Sequence, residues 1–378
     1  MELIAKTLAG LEEVLARELR DLGAKKVEVM KRAVAFEGDT KIMYRVNLEA
    51  RTALRVLLPI AQFTARNEDA LYKKISQIDW SKYMGIDDTL AIDSTTHSKF
   101  FTHSKYAALK SKDAIVDQFR NRTGKRPDVR VHNPTLRINL HINQENCTVA
   151  LDSSGEPLHK RGYRREAGEA PISEVLAAGM VLLSGWKADC DFIDPMCGSG
   201  TIATEAAYYA YNIPPQINRQ EFGFMRWKDF QPDLWQSVLQ DAKNRIRTFD
   251  HQIYASDMDF RVLSIARYNL EAAGLTDKVE LKRSKLEKLK APSEKGIIII
   301  NPPYEERIQT GDIGGLYEMI GSHLKHHFAG YEVWIITSNN EGLKRFGLRH
   351  SKKLVLYNGP LECRFVQFEL YEGSRRKG

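Results

Sequence analysis

Residues 296–307 read GIIIINPPYEER. Four consecutive isoleucines after a glycine are too apolar for a strand with one wet face. They predict a strand buried on both sides, as in a parallel sheet covered by helices. That strand runs into Asn301-Pro302-Pro303-Tyr304. A polar amide, two rigid rings and an aromatic side chain have no packing reason to follow a core strand. In open α/β sheets the carboxyl ends of strands are where ligands bind. The stretch therefore predicts both a fold and a site.

The sequence on either side supports the fold. From Pro171 onward, helical and extended patterns alternate. Ile172–Gly185 reads as a helix, and "DFIDPMCGSG" as a strand entering a glycine turn. "TIATEAAYYAYN" reads as a helix, "IYASDMD" as a strand, "RVLSIARYNLEAAGL" as a helix and "KVELKRS" as a strand. After "GIIIINPPY" come a helix over Leu316–Phe328, the strand "YEVWIITSN" and a C-terminal hairpin in "KKLVLYNGPLECRFVQFELYE". Strand–helix alternation predicts a doubly wound α/β sheet. Residues 213–250 interrupt it with an insertion carrying Trp227, Phe230 and Trp235.

The first 170 residues are different. The opening "MELIAKTLAGLEEVLARELR" has the spacing of an amphipathic helix and not the form of a secretory leader. A strand pair follows in "KVEVMKRAVAFEG", then the extended "RTALRVLLPIAQFTA". "DALYKKISQIDW" reads as a helix, "DTLAIDST" as a strand, Ser104–Thr123 as a basic helix stopped by Gly124, and "LRINLHINQENCTVALDSS" as a hairpin. This is a mixed α+β half. Gly155–Pro171 carries glycine, proline and charge with no apolar period, as a linker does.

Bulk properties narrow the class. The 378 residues suffice for two or three domains. Four cysteines without CxxC spacing point to reduced thiols in a cytosolic protein. The longest apolar-leaning run, Val175–Trp186, is too short to span a bilayer. Of the net charge of +7, +6 falls in residues 1–170 and +1 in residues 171–378. The excess peaks in Lys99, Lys105, Lys110, Lys112, Arg120, Arg122, Lys125, Arg126 and Arg130, set among Phe100, Phe101, Tyr106 and Phe119. Such a cluster suits a polyanion partner, although a solvated helix face would look the same.

Three points in the second half carry chemistry. The turn Asp194-Pro195-Met196-Cys197-Gly198-Ser199-Gly200-Thr201 offers glycines where backbone must approach a ligand at a helix start. No Gly-Lys-Ser/Thr follows, so it is not a P-loop. Asp257 ends the next strand, where an acid accepts hydrogen bonds from ribose hydroxyls in nucleotide-type cofactors. Met258 beside it could flank an adenine. The third point is Asn301–Tyr304. An exocyclic amine on a base is a weak nucleophile because its lone pair is delocalised. Acceptors aimed at its hydrogens, here the Asn301 side-chain oxygen and the Pro302 carbonyl, stabilise the positive charge that develops as it attacks a methyl group. Tyr304 could stack on the flat substrate. No metal is needed.

"DPMCGSGT", "SDMD" and "NPPY" resemble, in order, the cofactor loop, ribose acid and catalytic tetrapeptide of class I amino-methyltransferases. "LHKRGYRREAGEAPISEVLAAGMVLLSGW", "AGLEEVLARELRDLGA", "EGDT", "LPI" and "NGPLECRFVQFEL" are similar to the THUMP-domain RNA methyltransferases, most nearly those acting on guanine N2 of large-subunit ribosomal RNA. The resemblance covers essentially the whole chain. It implies a ferredoxin-like segment over 1–62, an RNA-gripping THUMP domain over 63–157, a linker over 158–171 and a Rossmann-like methyltransferase domain over 172–378. It implies S-adenosyl-L-methionine as cofactor, held by Asp194, Gly198, Gly200 and Asp257, with Met258 and Ser284 beside the adenine. The family usually carries an acid where this chain has Ser284, whose hydroxyl accepts more weakly. Asn301, Pro302 and Tyr304 would hold the target amine, and Lys99, Lys105, Arg120, Arg122, Lys125, Arg126 and Arg130 the RNA.

The residues leave alternatives open. The same chemistry serves tRNA, and the same tetrapeptide serves adenine N6 in RNA or DNA, because both purines present an amine beside a ring nitrogen. Protein glutamine methylation would leave the basic half without a purpose. A non-catalytic RNA binder would not need the intact glycine turn, Asp257 and NPPY.

Overall fold

The computed structural model describes residues 1–164, 172–303 and 313–371. It divides into two compact units. The first comprises 1–7, 16–158 and 219–240, and the second 8–15, 159–218 and 241–378.

The chain begins with β1 (Glu2–Lys6), α1 (Glu12–Asp21), β2 (Lys25–Met30), β3 (Ala33–Glu37), α2 (Thr40–Glu49) and β4 (Arg55–Thr64). There follow α3 (Glu68–Ser76), β5 (Thr89–His97), α4 (Ser104–Thr123), β6 (Asp128–Val129), β7 (Leu136–Asn143) and β8 (Asn146–Asp152). The eight strands form one sheet in the order β2-β3-β1-β4-β8-β7-β5-β6. Its first four strands are the ferredoxin-like arrangement. β4 joins both halves, pairing with β1 at Arg55–Leu57 and with β8 from Leu57 to Thr64. The register shifts between Pro59 and Ala61, where proline cannot donate to the ladder.

Two elements of the first 64 residues differ from the sequence expectation. The opening residues are a strand, with Leu3 and Ala5 fully buried and their neighbours not. That period of two covers only five residues, too few to stand out beside the strong helical spacing of Leu11, Val14, Leu15 and Leu19 that follows. The helix α2 was not expected. Its start is marked by Asp39, whose carboxylate accepts from the Ile42 N–H at 2.8 Å.

The second unit contains α5 (Glu174–Leu183), β9 (Asp191–Asp194), α6 (Thr201–Ala210), β10 (Ile253–Asp257), α8 (Phe260–Ala272) and β11 (Val279–Arg283), with α7 (Pro232–Asn244) between α6 and β10 in sequence. It continues with β12 (Gly296–Ile300), α9 (Ile313–His327), β13 (Tyr331–Thr337), α10 (Asn340–Arg345), β14 (Lys352–Asn358) and β15 (Leu361–Glu369). The sheet order is β11-β10-β9-β12-β13-β15-β14. The first five of these are parallel, and β15 runs antiparallel between β13 and β14. The chain thus turns one way from β9 toward β11 and the other way from β12 onward, a topological switch beside β9. Every residue of β12 is buried, as the isoleucine run requires.

The inserted segment 219–240 packs within the first unit. Phe224 stacks on Tyr44 with ring centroids 4.3 Å apart, and Phe222 and Trp235 complete the cluster. Each buried aromatic ring contributes about 1.5–3 kcal/mol of burial. Gly223 is required there, because a Cβ would stand 2.5 Å from the Asp152 carbonyl oxygen.

Candidate active site

The sheet register brings the three chemical points to one edge. β9 lies between β10 and β12. Ala255 of β10 is level with Asp194 of β9, so Asp257 lies two residues past it. Ile298 of β12 is level with Ile193, so Asn301 lies three residues past that level. Asp257 and Asn301 therefore flank the glycine turn from the two neighbouring strands, separated by about two strand spacings, or about 9–10 Å.

The turn itself is tightly held. Gly200 N–H donates to the Cys197 carbonyl at 2.8 Å, and Cys197 N–H donates to the Ser256 carbonyl at 2.9 Å. Asn269 of α8 donates its side-chain amide to the Ser199 carbonyl at 3.1 Å. Gly200 has φ of +79° and a Cβ there would press on Ala266 at 3.3 Å. Gly198 has φ of +55°, and a Cβ there would meet nothing within 4 Å. Gly200 is thus demanded by the protein, while Gly198 faces open space that a ligand can fill.

Asp257 belongs to this turn. Its Oδ2 accepts from the Gly198 N–H at 3.1 Å and its Oδ1 from the Asp259 N–H at 3.0 Å. It is not the cap of α8, since that role falls to Asp259, which accepts from the Arg261 N–H. Each Asp257 oxygen keeps a lone pair for a further donor. Met258 follows it and is 58% exposed. The Ser284 N–H donates to the Asp257 carbonyl at 3.1 Å, which places Ser284 at the same edge, with its hydroxyl turned to the Lys285 carbonyl.

Asp194 is fully buried, and the N–H groups of Ala203 and Met196 approach its carboxylate without reaching full hydrogen-bond geometry. Burial, and then the charge of Asp257, push its carboxyl well above the usual range, and the nearby N–H groups of Ala203 and Met196 only partly oppose this. A buried carboxyl held only by such loosely placed donors is costly to ionise. The Cys197 thiol is also raised well above its usual range, by burial first and then by Asp194 and Asp257, so it is a poor candidate for a thiolate nucleophile.

Asn301 is half-buried and Pro302 buried at the end of β12. Tyr304 lies outside the described residues. The expected RNA-binding residues divide into two groups. Lys99 and Lys105 lie near the start of α4, while Arg120, Arg122, Lys125, Arg126 and Arg130 lie at or beyond its end. Twenty helical residues span about 30 Å, so these are two patches. Arg120 pairs with Asp117 at 3.2 Å and Arg122 with Asp79 at 3.0 Å. Lys105, Lys125, Arg126 and Arg130 are exposed and have no acidic partner among the described residues.

The sequence reading missed one cluster. Arg161, from the expected linker, is fully buried against Glu205 of α6 at 3.1 Å, and the Tyr163 hydroxyl donates to the same carboxylate at 3.0 Å. Arg164 donates to the Thr201 hydroxyl at 2.8 Å and to the Ile172 carbonyl at 2.6 Å, and lies 3.5 Å from Glu174. These arginines fasten the chain before α5 to the helix that begins at the glycine turn. The available signal was Glu205, a lone acid in the small apolar helix TIATEAAYYA. Among the described residues no His/Cys/Asp/Glu group could hold a metal, and no helix is long and apolar enough to cross a membrane.

Known proteins share these features. The family described as "RMKL-like, methyltransferase domain" matches residues 161–367, the THUMP domain 65–152 and the RlmL ferredoxin-like domain 2–57. The "Putative RNA methyltransferase slr0064" of Synechocystis sp. is 39% identical over 97% of this chain and 96% of that protein. The "Ribosomal RNA large subunit methyltransferase K/L" of Syntrophotalea carbinolica is 38% identical over 96% of this chain, which spans only 53% of that longer protein. Among solved structures, "SMU.472, a putative methyltransferase complexed with SAH" superposes with a TM-score of 0.89 at 30% identity over 99% of both chains. The chain belongs to the RMKL-like methyltransferase family, with a ferredoxin-like segment and a THUMP domain ahead of its α/β methyltransferase domain.

Proposed function

We propose that this protein is an S-adenosylmethionine-dependent RNA methyltransferase that modifies the exocyclic N2 amine of a guanine in large-subunit ribosomal RNA. The observation that carries the reading is the edge at β9, where an open glycine turn, Asp257 and Asn301-Pro302 meet on three adjacent strands. The cofactor agrees with the SAH complex of the structural relative, and the RNA substrate with the names of the sequence relatives. When bound, S-adenosylmethionine supplies an electrophilic methyl group on a sulfonium sulfur.

The protein's own part is placement and charge. Gly198 leaves room for the cofactor backbone, and Asp257 accepts from ribose hydroxyls. Asp194 lines the cofactor loop beside them. Met258 and Ser284 border the adenine. The Asn301 side-chain oxygen and the Pro302 carbonyl accept the two amine hydrogens, so positive charge gathering on nitrogen meets fixed dipoles. Tyr304 stacks on the base. The buried β12 keeps these acceptors still, which an in-line transfer with reacting atoms about 3–3.5 Å apart requires. The lysines and arginines of both α4 patches bind phosphates and set the RNA's register without reading its bases.

The test is transfer of a labelled methyl group to separated 23S rRNA, 16S rRNA, tRNA and DNA, followed by digestion to nucleosides. Label in N2-methylguanosine from 23S rRNA is the expected result. Label in N6-methyladenosine, or in tRNA alone, would replace the proposed substrate.

A further inference from the structure

The second unit holds a cleft that none of the chemistry above uses. It has a volume of about 450 Å³. Asn340, Lys344, His350, Lys353 and Arg364 form its walls. Leu343, Leu348, Val366 and Phe368 give it an apolar lining. Between Glu341 and Glu362 the chain has no acid, yet it carries Lys344, Arg345, Arg349, His350, Lys352 and Lys353. A concave site lined by one sign of charge focuses potential and attracts the opposite charge.

The cleft is built onto the strand beside the proposed chemistry. β13 pairs with β12 through Ile335 and Ile300, the residue before Asn301. Past the end of β13, Asn339 caps α10 by accepting from the Gly342 N–H at 2.8 Å, and the Thr337 hydroxyl accepts from the Asn339 N–H at 2.9 Å. Gly342 lies against the Tyr317 ring, where a Cβ would stand 2.8 Å away, so α10 sits close on α9. Alternation along β14 sends Lys353 into the cleft while Lys352 lies over the Trp334 ring at 5.7 Å. His350 and Lys353 have no acidic partner among the described residues. Lys344 pairs with Glu341 at 2.7 Å and Arg364 with Glu362 at 2.6 Å, with both acids and Lys344 well exposed. Such surface pairs are worth at most about 1 kcal/mol, so a phosphate can take their place.

We infer that this cleft binds the RNA chain next to the target nucleotide, with phosphodiester oxygens on Lys344, His350, Lys353 and Arg364 and a nucleoside against the apolar lining. The inference rests on the RNA methyltransferase reading above. It names a contact on the catalytic unit for which the sequence's charge balance, +1 beyond residue 170, gave no reason to look.

The test compares wild type with the double variants Lys344→Ala/Lys353→Ala and Lys344→Arg/Lys353→Arg, all checked by thermal melting. RNA affinity is measured at several salt concentrations, S-adenosylhomocysteine affinity by calorimetry, and methyl transfer as a function of RNA concentration. The alanine pair should reduce the salt slope by about 1.4–1.8, two phosphate contacts' worth. It should raise KM for RNA several-fold and leave S-adenosylhomocysteine affinity unchanged, while the arginine pair keeps the wild-type slope. An unchanged slope and KM in the alanine pair overturns the cleft while wild type still methylates RNA. Wild type that methylates no RNA overturns the reading of function, and the cleft with it.

Discussion

Two arginine-rich stretches of this chain look alike in sequence and do opposite things. In Leu158–Arg164 the arginines turn inward, Arg161 onto Glu205 with both side chains fully buried, and Arg164 onto Glu174 and Thr201. In Arg120–Arg130 the arginines and Lys125 face water, and the two that are paired meet half-exposed aspartates. Buried, an arginine is part of the scaffold and its loss is a stability event. Exposed, it is free to exchange its partner for a phosphate. A basic stretch therefore says little about nucleic acid until its burial is known.

The largest expected effect is at the buried pair. Glu205→Ala removes the main counter-charge of the buried Arg161 and should cost about 3–5 kcal/mol of stability in urea unfolding. Arg161→Met combined with Glu205→Leu should recover most of that loss. A Glu205→Ala protein as stable as wild type would show that the buried arginine is not part of the scaffold.

Asp257→Ala comes next, for an acid that is only partly buried. It should weaken S-adenosylhomocysteine binding by about 1.5–3 kcal/mol, one charge-assisted hydrogen bond, with a smaller change in folding stability. Unchanged calorimetric affinity would remove Asp257 from the cofactor site.

Asp194 is a buried carboxyl whose nearest donors, the Ala203 and Met196 N–H groups, only partly offset its burial, and its effect has the opposite sign. Its carboxyl is raised in the folded state by burial and by Asp257. The native protein then holds the proton more tightly than the unfolded chain, so ionisation of Asp194 lowers stability as pH rises from the unfolded value of about 3.9 toward the raised one. Asp194→Asn should therefore be more stable than wild type at neutral pH, lose that advantage near pH 4 and below, and bind cofactor less well. A variant less stable at pH 7 would contradict this.

The smallest stability effect belongs to the exposed group. Changing Arg120, Arg122, Lys125 and Arg126 together to Glu should leave the melting temperature nearly unchanged, since exposed substitutions fall within about ±0.5 kcal/mol each. RNA affinity should fall and its salt slope flatten. Equal slopes for mutant and wild type would make the end of α4 a solvated face.

The contrast also explains what the sequence disclosed. The catalytic fold was legible because β12 is apolar throughout and because the helices between strands have clear periods. The candidate site could be named from sequence because its residues lie at strand ends, where an amide, an acid and a glycine turn follow apolar runs. β1 was hidden by its shortness. The roles of Arg161 and Glu205, 44 residues apart, and of the cleft at Lys344 and Lys353 depend on tertiary packing, which local patterns do not report. The division of the α4 cations into two patches follows from helix length, and the sequence showed only their count.

In the proposed reaction the transfer takes place at the end of β12. Single-turnover methylation of RNA by Asn301→Ala, with S-adenosylhomocysteine affinity measured on the same preparation, tests it most directly. The rate should fall by about 10²–10³, the usual loss when one group that stabilises developing charge is removed, while affinity stays within a few-fold. A variant that transfers methyl groups at the wild-type rate would contradict the claim.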